Sequence, residues 1–185
     1  MNLHPASGIV LAAAHTLHDP NFKRAVIFLA QHESSGTLGY VINRPLQQTL
    51  QDILPDETHG FDAPLYWGGP CQNDTLHCVH RIGTVIPGAL EIADGIFWGG
   101  QFDALMEMLI SGGATTEDIR FFVGYAGWSE EQLAREIAEK SWILAESSTK
   151  LLFDEAHKNL WSRVVASLGG EYHIIAGTPE HPSLN

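Results

Sequence analysis

Seven polar residues fall where strands of the first half should begin or end: Asp19, Asn21, Arg24, His32, Asn43, Arg44 and Asp94. Two guanidinium groups, Arg24 and Arg44, could together receive a carboxylate or phosphate through paired hydrogen bonds. His32 could act as a general acid or base with Asp19 or Asp94 beside it, which is hydrolase-type chemistry. The plainer alternative has the two arginines paired with Asp19 or Asp94, holding loops in place. Arg120, ahead of "FFVGY", carries the same ambiguity.

No complete catalytic signature accompanies these groups. Gly68-Gly69-Pro70 could bring bare backbone N–H groups to a ligand, yet the Lys-Ser/Thr of a P-loop does not follow, and G-x-G-x-x-G is absent. There is no G-x-S-x-G elbow. His32-Glu33 opens like H-E-x-x-H, but Gly36 stands in the second histidine's place. Cys71, His77, Cys78 and His80 invite a zinc reading. On a strand, however, Cys78 and His80 share one side and His77 faces the other, while Cys71 lies across a glycine-proline turn. That is not the spacing of a common zinc module, so neither a metal nor a cofactor is expected.

Composition narrows the classes further. The 185 residues suit one domain, and a chain of this order buries roughly 70% of its unfolded surface. Net charge is −12, from 22 acidic and 10 basic side chains, and the basic ones are scattered. Nucleic-acid affinity comes largely from cations that neutralise phosphates, so direct DNA binding is disfavoured. No apolar run approaches the ~20 residues of a membrane span. The segment after Met1 lacks the basic region of a signal peptide. The two cysteines are therefore expected as free thiols in a reducing cytoplasm.

The elements that must position these residues are mostly strands at first. Ile9–Ala14 is short and apolar. "RAVIFLAQH" (24–32) is almost continuously apolar, as a strand buried on both faces would be. With the turn "ESSGT" (33–37) and "LGYVIN" (38–43), residues 25–43 read as a hairpin. Pro45 holds Arg44 extended, and 47–54 reads as a small helix. Strands follow at 64–67, 75–82, 88–92 and 95–98. Two of them end alike, in "YWGGP" and "FWGGQ", read as unrelated strands leaving a sheet through glycines. A helix over 101–111 closes at Gly112-Gly113. Then come a strand at 119–123, helix 129–140, a strand near 142–145, helix 155–168 with a stripe of Ala156, Leu160, Val164 and Leu168, and a final strand, 171–177. Runs of strands with irregularly placed helices indicate an α+β domain over 1–177, with a loose tail over 178–185.

"GYAGWSEEQLAREI" (124–137) reads as a corner rather than a ligand loop. Ser129-x-x-Gln132 spells a capping box, Trp128 and Leu133 are placed for a hydrophobic staple, and Glu130 and Glu131 would repel an incoming phosphate. Gly124 and Gly127 would serve the turn.

"LHDPNFKRAVIFL" (17–29), "HESSGTLGYVINRPL" (32–46), "GGP" (68–70) and the 124–137 stretch, with Trp142 and "LLF" (151–153), together resemble the YqgE/AlgH family in order across nearly the whole chain. The resemblance implies a cytosolic bacterial protein with one α+β domain, a curled mixed or antiparallel sheet with packed helices. It brings no catalytic residues, and one branch is labelled a regulator of alginate-related transcription. Its motif matches, Asp19, Pro20, Arg24, His32, Gly36, Gly39, Asn43, Arg44, Pro45, Gly68, Gly69 and Pro70, are candidates only. The leading expectation is a non-catalytic protein that binds a small anionic ligand or a protein partner near Arg24, Asn43, Arg44 and Gly68-Gly69. The alternatives are a hydrolase using His32 and a transcriptional regulator acting through a protein partner.

Overall fold

A computed structural model describes residues 3–153 and 157–178. β1 (Val10–Ala13), β2 (Val26–Glu33) and β3 (Gly36–Val41) pair antiparallel in sequence order. The hairpin expected over 25–43 is present. β2 is apolar almost throughout because both faces are covered. Val26 and Phe28 enter one core cluster, Ile27 and Leu29 enter another, and all four are fully buried. The two-residue period of a strand divides them.

β4 (Pro45–Thr49) pairs with β5 (Pro64–Trp67), and between them lie α1 (Leu50–Ile53) and α2 (Pro55–Thr58). The helix expected from Gln47 therefore begins later, at Leu50, where the Asp52 carboxylate accepts the Thr49 N–H at 2.8 Å. β6 (Cys71–His80), β7 (Leu90–Ala93), β8 (Ile96–Trp98) and α3 (Phe102–Ile110) follow as the pattern predicts. β9 (Ile119–Ser129), α4 (Gln132–Ala138), β10 (Trp142–Ala145) and α5 (Thr149–Phe153) come next. A 3-10 turn at His157–Asn159, α6 (Leu160–Ser167) and α7 (Tyr172–Ala176) complete the described chain. The helix expected over 155–168 thus starts, among the described residues, as that 3-10 turn; the loose tail expected over 178–185 lies, beyond Thr178, outside them.

Ten strands form one open sheet; eight follow the order β10-β1-β2-β3-β9-β6-β8-β7, antiparallel along that path, and β4 and β5 lie off it. β5 is the exception and runs parallel to β9. The fold is a single α+β domain. α6 covers one face of β1 and β2 through Leu160, Trp161, Val164 and Val165. Trp128, Leu133 and Trp142 cover the other. α3 closes a third cluster over β5, β6 and β9 with Leu105, Met106 and Leu109.

β9 explains why 124–137 is not the corner its sequence spells. Residues 121–123 pair with β5 on one side, residues 126–129 pair with β3 on that same flank, and β6 lies along the other. Gly124 sits at the switch with φ +69°, and a Cβ there would meet three oxygens, from Gly69, Cys71 and Asn73, within 2.8 Å. Gly127 is ordinary strand, opposite Leu38. Ser129 is still strand, and α4 starts three residues later behind Glu131, itself at φ 61°. Half of the expected box survives: the Gln132 side chain accepts the Ser129 N–H at 3.1 Å, while the hydroxyl turns to the same oxygen instead of capping the helix.

Residues 171–177 also differ from expectation, being helix α7 rather than strand. Gly169 and Gly170, at φ 72° and 56°, turn the chain back onto α6. Tyr172, Ile175 and Ala176 then pack against the core at i, i+3 and i+4, while Ile174 is 78% exposed. The spacing is helical, and the adjacent isoleucines disguise it.

The crossing of β5's exit over β9 sets the tightest constraint. A Cβ on Gly68 would lie 2.2 Å from the Gly124 carbonyl oxygen, and one on Gly69 would lie 2.2 Å from the Tyr125 carbonyl carbon. Neither backbone can yield without breaking the sheet. Gly68→Ala is expected to lower stability by about 3 kcal/mol, an overpacking cost at the upper end of the usual range. Urea unfolding checks it, as a lower midpoint with unchanged slope.

Candidate functional site

The residues expected to form an anion site do meet at one end of the β2–β3 hairpin, but mostly to hold each other. Asn43 bridges the two chains: its Oδ1 accepts the Val26 N–H at 2.9 Å and its Nδ2 donates to the Arg24 carbonyl at 2.9 Å. Arg24 has φ 54°, a left-handed conformation that costs a non-glycine residue about 1 kcal/mol or more and is fixed here by that bridge. Asp19 closes the preceding turn, accepting the Asn21 N–H on its carboxylate at 2.7 Å and the Lys23 N–H on its carbonyl at 2.8 Å.

The two arginines do not converge. The Arg24 guanidinium lies 4.6 Å from the centre of the Trp161 ring and donates to the Thr178 carbonyl. That of Arg44 lies 5.1 Å from the centre of the Trp67 ring and donates to the Lys23 carbonyl at 3.1 Å. Trp161 belongs to the core on one face of the sheet and Trp67 packs with the core on the other. The expectation of one shared bidentate receptor is corrected accordingly: Arg24 turns at φ 54° ahead of β2, Arg44 stands between β3 and β4, and each side chain settles on a different tryptophan. Gly68 offers no bare amide either. Its N–H donates to Val123 at 2.9 Å and its carbonyl accepts from Val41 at 2.8 Å.

His32 stands at the far end of β2. Its Nδ1 is 2.7 Å from the Thr37 hydroxyl, and its backbone N–H donates to the Ser7 hydroxyl at 3.0 Å. Asp19 precedes the start of that strand, about 20 Å away at ~3.3 Å per residue. Asp94 lies in the turn between β7 and β8. The described partners of His32 are hydroxyls, not carboxylates, so the acid–base pairing with Asp19 is excluded by the strand's length.

Cys78 and His80 face the same side of β6, as their spacing predicts, and both reach the Gly99 carbonyl, at 3.8 and 3.1 Å. His77 faces the other side, 5.4 Å from the Tyr40 ring centre. Burial pushes the Cys78 thiol up to about 12 and both imidazoles below their ordinary 6.5. His80 accepts the Ile82 N–H on Nδ1 at 3.3 Å, which fixes the neutral tautomer with its proton on Nε2. Among the described residues no three metal-binding side chains are gathered.

Two features escaped sequence reasoning. The first is Glu136, whose Oε2 accepts both the Trp128 and Trp142 indole N–H groups, at 2.9 and 2.7 Å, while Oε1 accepts from Gln132 at 2.8 Å. The acidic run of the 124–137 stretch therefore serves an aromatic core. The second is a groove of 640 Å³ between α2 and α3. Asp56 and Glu57 lie in the first turn of α2, and His59, at φ 48°, ends that helix. Across from them Phe102, Met106 and Ile110 form an apolar row, with Asp103 and Glu107 beside it. Ile110 is 43% exposed. The signal was present: apolar residues at 102, 105, 106, 109 and 110 make a stripe wider than one buried face requires.

Asn43→Ala should cost about 2 kcal/mol by stranding the Val26 N–H and Arg24 carbonyl, and denaturant unfolding reads that loss. Stability should also fall on acidification. The folded protein holds His77 and His80 neutral, so their contribution is full above the unfolded pKa near 6.5 and declines as pH drops below it. Urea unfolding at pH 7.5 and 5.5 should show this, with a smaller difference for His80→Gln.

With this geometry in place, comparison with known proteins is direct. The AlgH-like family model matches residues 10–173. A UPF0301 protein of Chlorobium limicola is 41% identical over 178 residues, covering 96% of this chain and 95% of the relative. One of Bacteroides fragilis is 38% identical over 184 residues, covering 100% and 93%. The crystal structure of DIP2367 from Corynebacterium diphtheriae shares the fold, with a TM-score of 0.78 over 96% of this chain and 95% of that one, at 20% identity. The solution structure of the AlgH protein from Pseudomonas aeruginosa gives a TM-score of 0.72 at 28% identity, covering 98% of this chain and all of that one. An open ten-stranded sheet, the hairpin clamped by Asn43 and a match spanning the domain lead to one conclusion: the chain belongs to the YqgE/AlgH family.

Proposed function

We propose that this is a non-catalytic protein that recognises a protein partner through the α2–α3 groove. The observation that carries the reading is an open apolar floor of Phe102, Met106 and Ile110 flanked by Asp56, Glu57, Asp103 and Glu107. An apolar groove with a polar rim is a usual place for recognition, and here Ile110 is exposed over a floor of Phe102 and the buried Met106. The alternative anion site at the hairpin end has less in its favour, because Arg24 and Arg44 already lie over tryptophans and donate to carbonyls. A regulatory role exercised on another protein, rather than on DNA, agrees with a net charge of −12. A reducing cytoplasm agrees with the unpaired Cys71 and Cys78.

Site-specific photocrosslinking in the native cell tests the reading. With a benzophenone side chain at position 110, irradiation should yield a discrete adduct with another protein. The same probe at Ile174, exposed on α7, should not. If position 110 yields no adduct, or both positions yield the same one, the groove is not a partner site.

A further inference from the structure

We infer that the groove receives a basic amphipathic helix of the partner, an inference that rests on the reading above and adds the chemistry of the occupant. The shape argument comes first. Phe102, Met106 and Ile110 recur at i, i+4 and i+8 along the whole of α3, about 13 Å at 1.5 Å per residue. A row of that spacing is the ridge against which another helix packs its own side chains. The groove is walled by residues of two helices and their ends, with no strand edge to which an extended peptide could add.

Charge then decides the occupant's sign. Four carboxylates, Asp56 and Glu57 on one bank and Asp103 and Glu107 on the other, line the groove together with His59, and no described lining residue is Lys or Arg. Asp103 and Glu107 are like charges four residues apart, an arrangement that weakens a helix by a few tenths of a kcal/mol. No basic residue stands in the last turn of α3 to offset its dipole. The groove is thus lined by net negative charge, which favours a cationic occupant. A nucleic acid or an anionic lipid surface would add to the repulsion. A bare divalent ion is disfavoured because the carboxylates are spread along two banks, and no described trio is gathered to hold one.

The test uses the full chain and a synthetic fluorescent peptide of fifteen residues, with leucines on one helical face and lysines on the other. A scrambled peptide of the same composition lacks the apolar face, and a third carries Glu for every Lys. By anisotropy at physiological salt, the patterned basic peptide should bind on the order of tenfold more tightly than the scrambled one, and the acidic one should not bind. Glu107→Lys and Ile110→Gln should each weaken binding by at least about fivefold. Glu139→Lys, an equal charge change on the exposed end of α4, should leave it unchanged. Both groove substitutions lie on solvent-exposed positions of α3, and melting curves verify that each variant is folded. Equal affinity for the patterned and scrambled peptides, or binding unaffected by both groove variants, overturns the inference. An adduct at position 110 without any peptide preference overturns the helix and leaves partner recognition standing. Loss of that adduct removes the partner reading itself, whatever the peptide does.

Discussion

One strand must serve three neighbours, and the rest of the architecture follows from how its backbone manages it. β9 takes β5 and then β3 on one side while β6 follows the other, so the ladder changes partner at Gly124. Two chains cannot exchange places beside a third unless their backbones come closer than side chains permit. Gly68, Gly69 and Gly124 meet there with no room for a Cβ on any of them. The glycine pair after β5 therefore has a packing cause that is complete without a ligand. Along the sheet, the hairpin with its β1 and β10 extension joins the β6–β8–β7 group through β9.

The same constraint uses up the polar residues at the hairpin's open end. A strand that leaves the sheet exposes backbone donors and acceptors, and buried ones must be paired. Asn43 supplies an amide in place of the missing strand, Asp19 closes the turn before it, and Arg24 and Arg44 reach across to carbonyls on other segments. These residue types at strand ends look like a receptor because a receptor and a structural clamp need the same groups. What separates them is whether the donors already have acceptors.

That distinction marks the limit of what the sequence made legible. The continuous apolar run of β2, the hairpin, β5, β10 and α3 were all readable, because a period of two or 3.6 with clear punctuation determines them locally. The shared side of Cys78 and His80 was readable for the same reason. The 124–137 stretch misled because Ser129-x-x-Gln132 is a local signal, and pairing of Ser129 with Gly36 across the sheet overrides it. Residues 171–177 misled because β-branched neighbours favour a strand, while packing against α6 and the core draws them into a helix. The divergence of Arg24 and Arg44 depends on the left-handed turn at Arg24 and on which tryptophan each side chain reaches, and no motif records either. The α2–α3 groove joins segments some fifty residues apart and so has no linear signature.

No described residue lining the groove is Lys or Arg, and four of the chain's arginines are engaged elsewhere in the fold. Of the ten basic side chains, four arginines are drawn onto aromatic rings: Arg24 on Trp161, Arg44 on Trp67, Arg81 on Phe153 and Arg120 between Tyr66 and Phe153. Arg120 is buried, with its guanidinium donating to the carbonyls of Thr116, Ile119 and Phe153 at 2.7 to 3.0 Å. Arg81 also pairs with Asp118 at 2.9 Å. Cations bound to carbonyls and π-faces stabilise the interior without neutralising a surface carboxylate. Of the four, only Arg120 is buried, so its charge alone is taken from the described surface. A partner's lysines laid along the α2–α3 groove would meet four carboxylates that no described lining residue of this chain offsets.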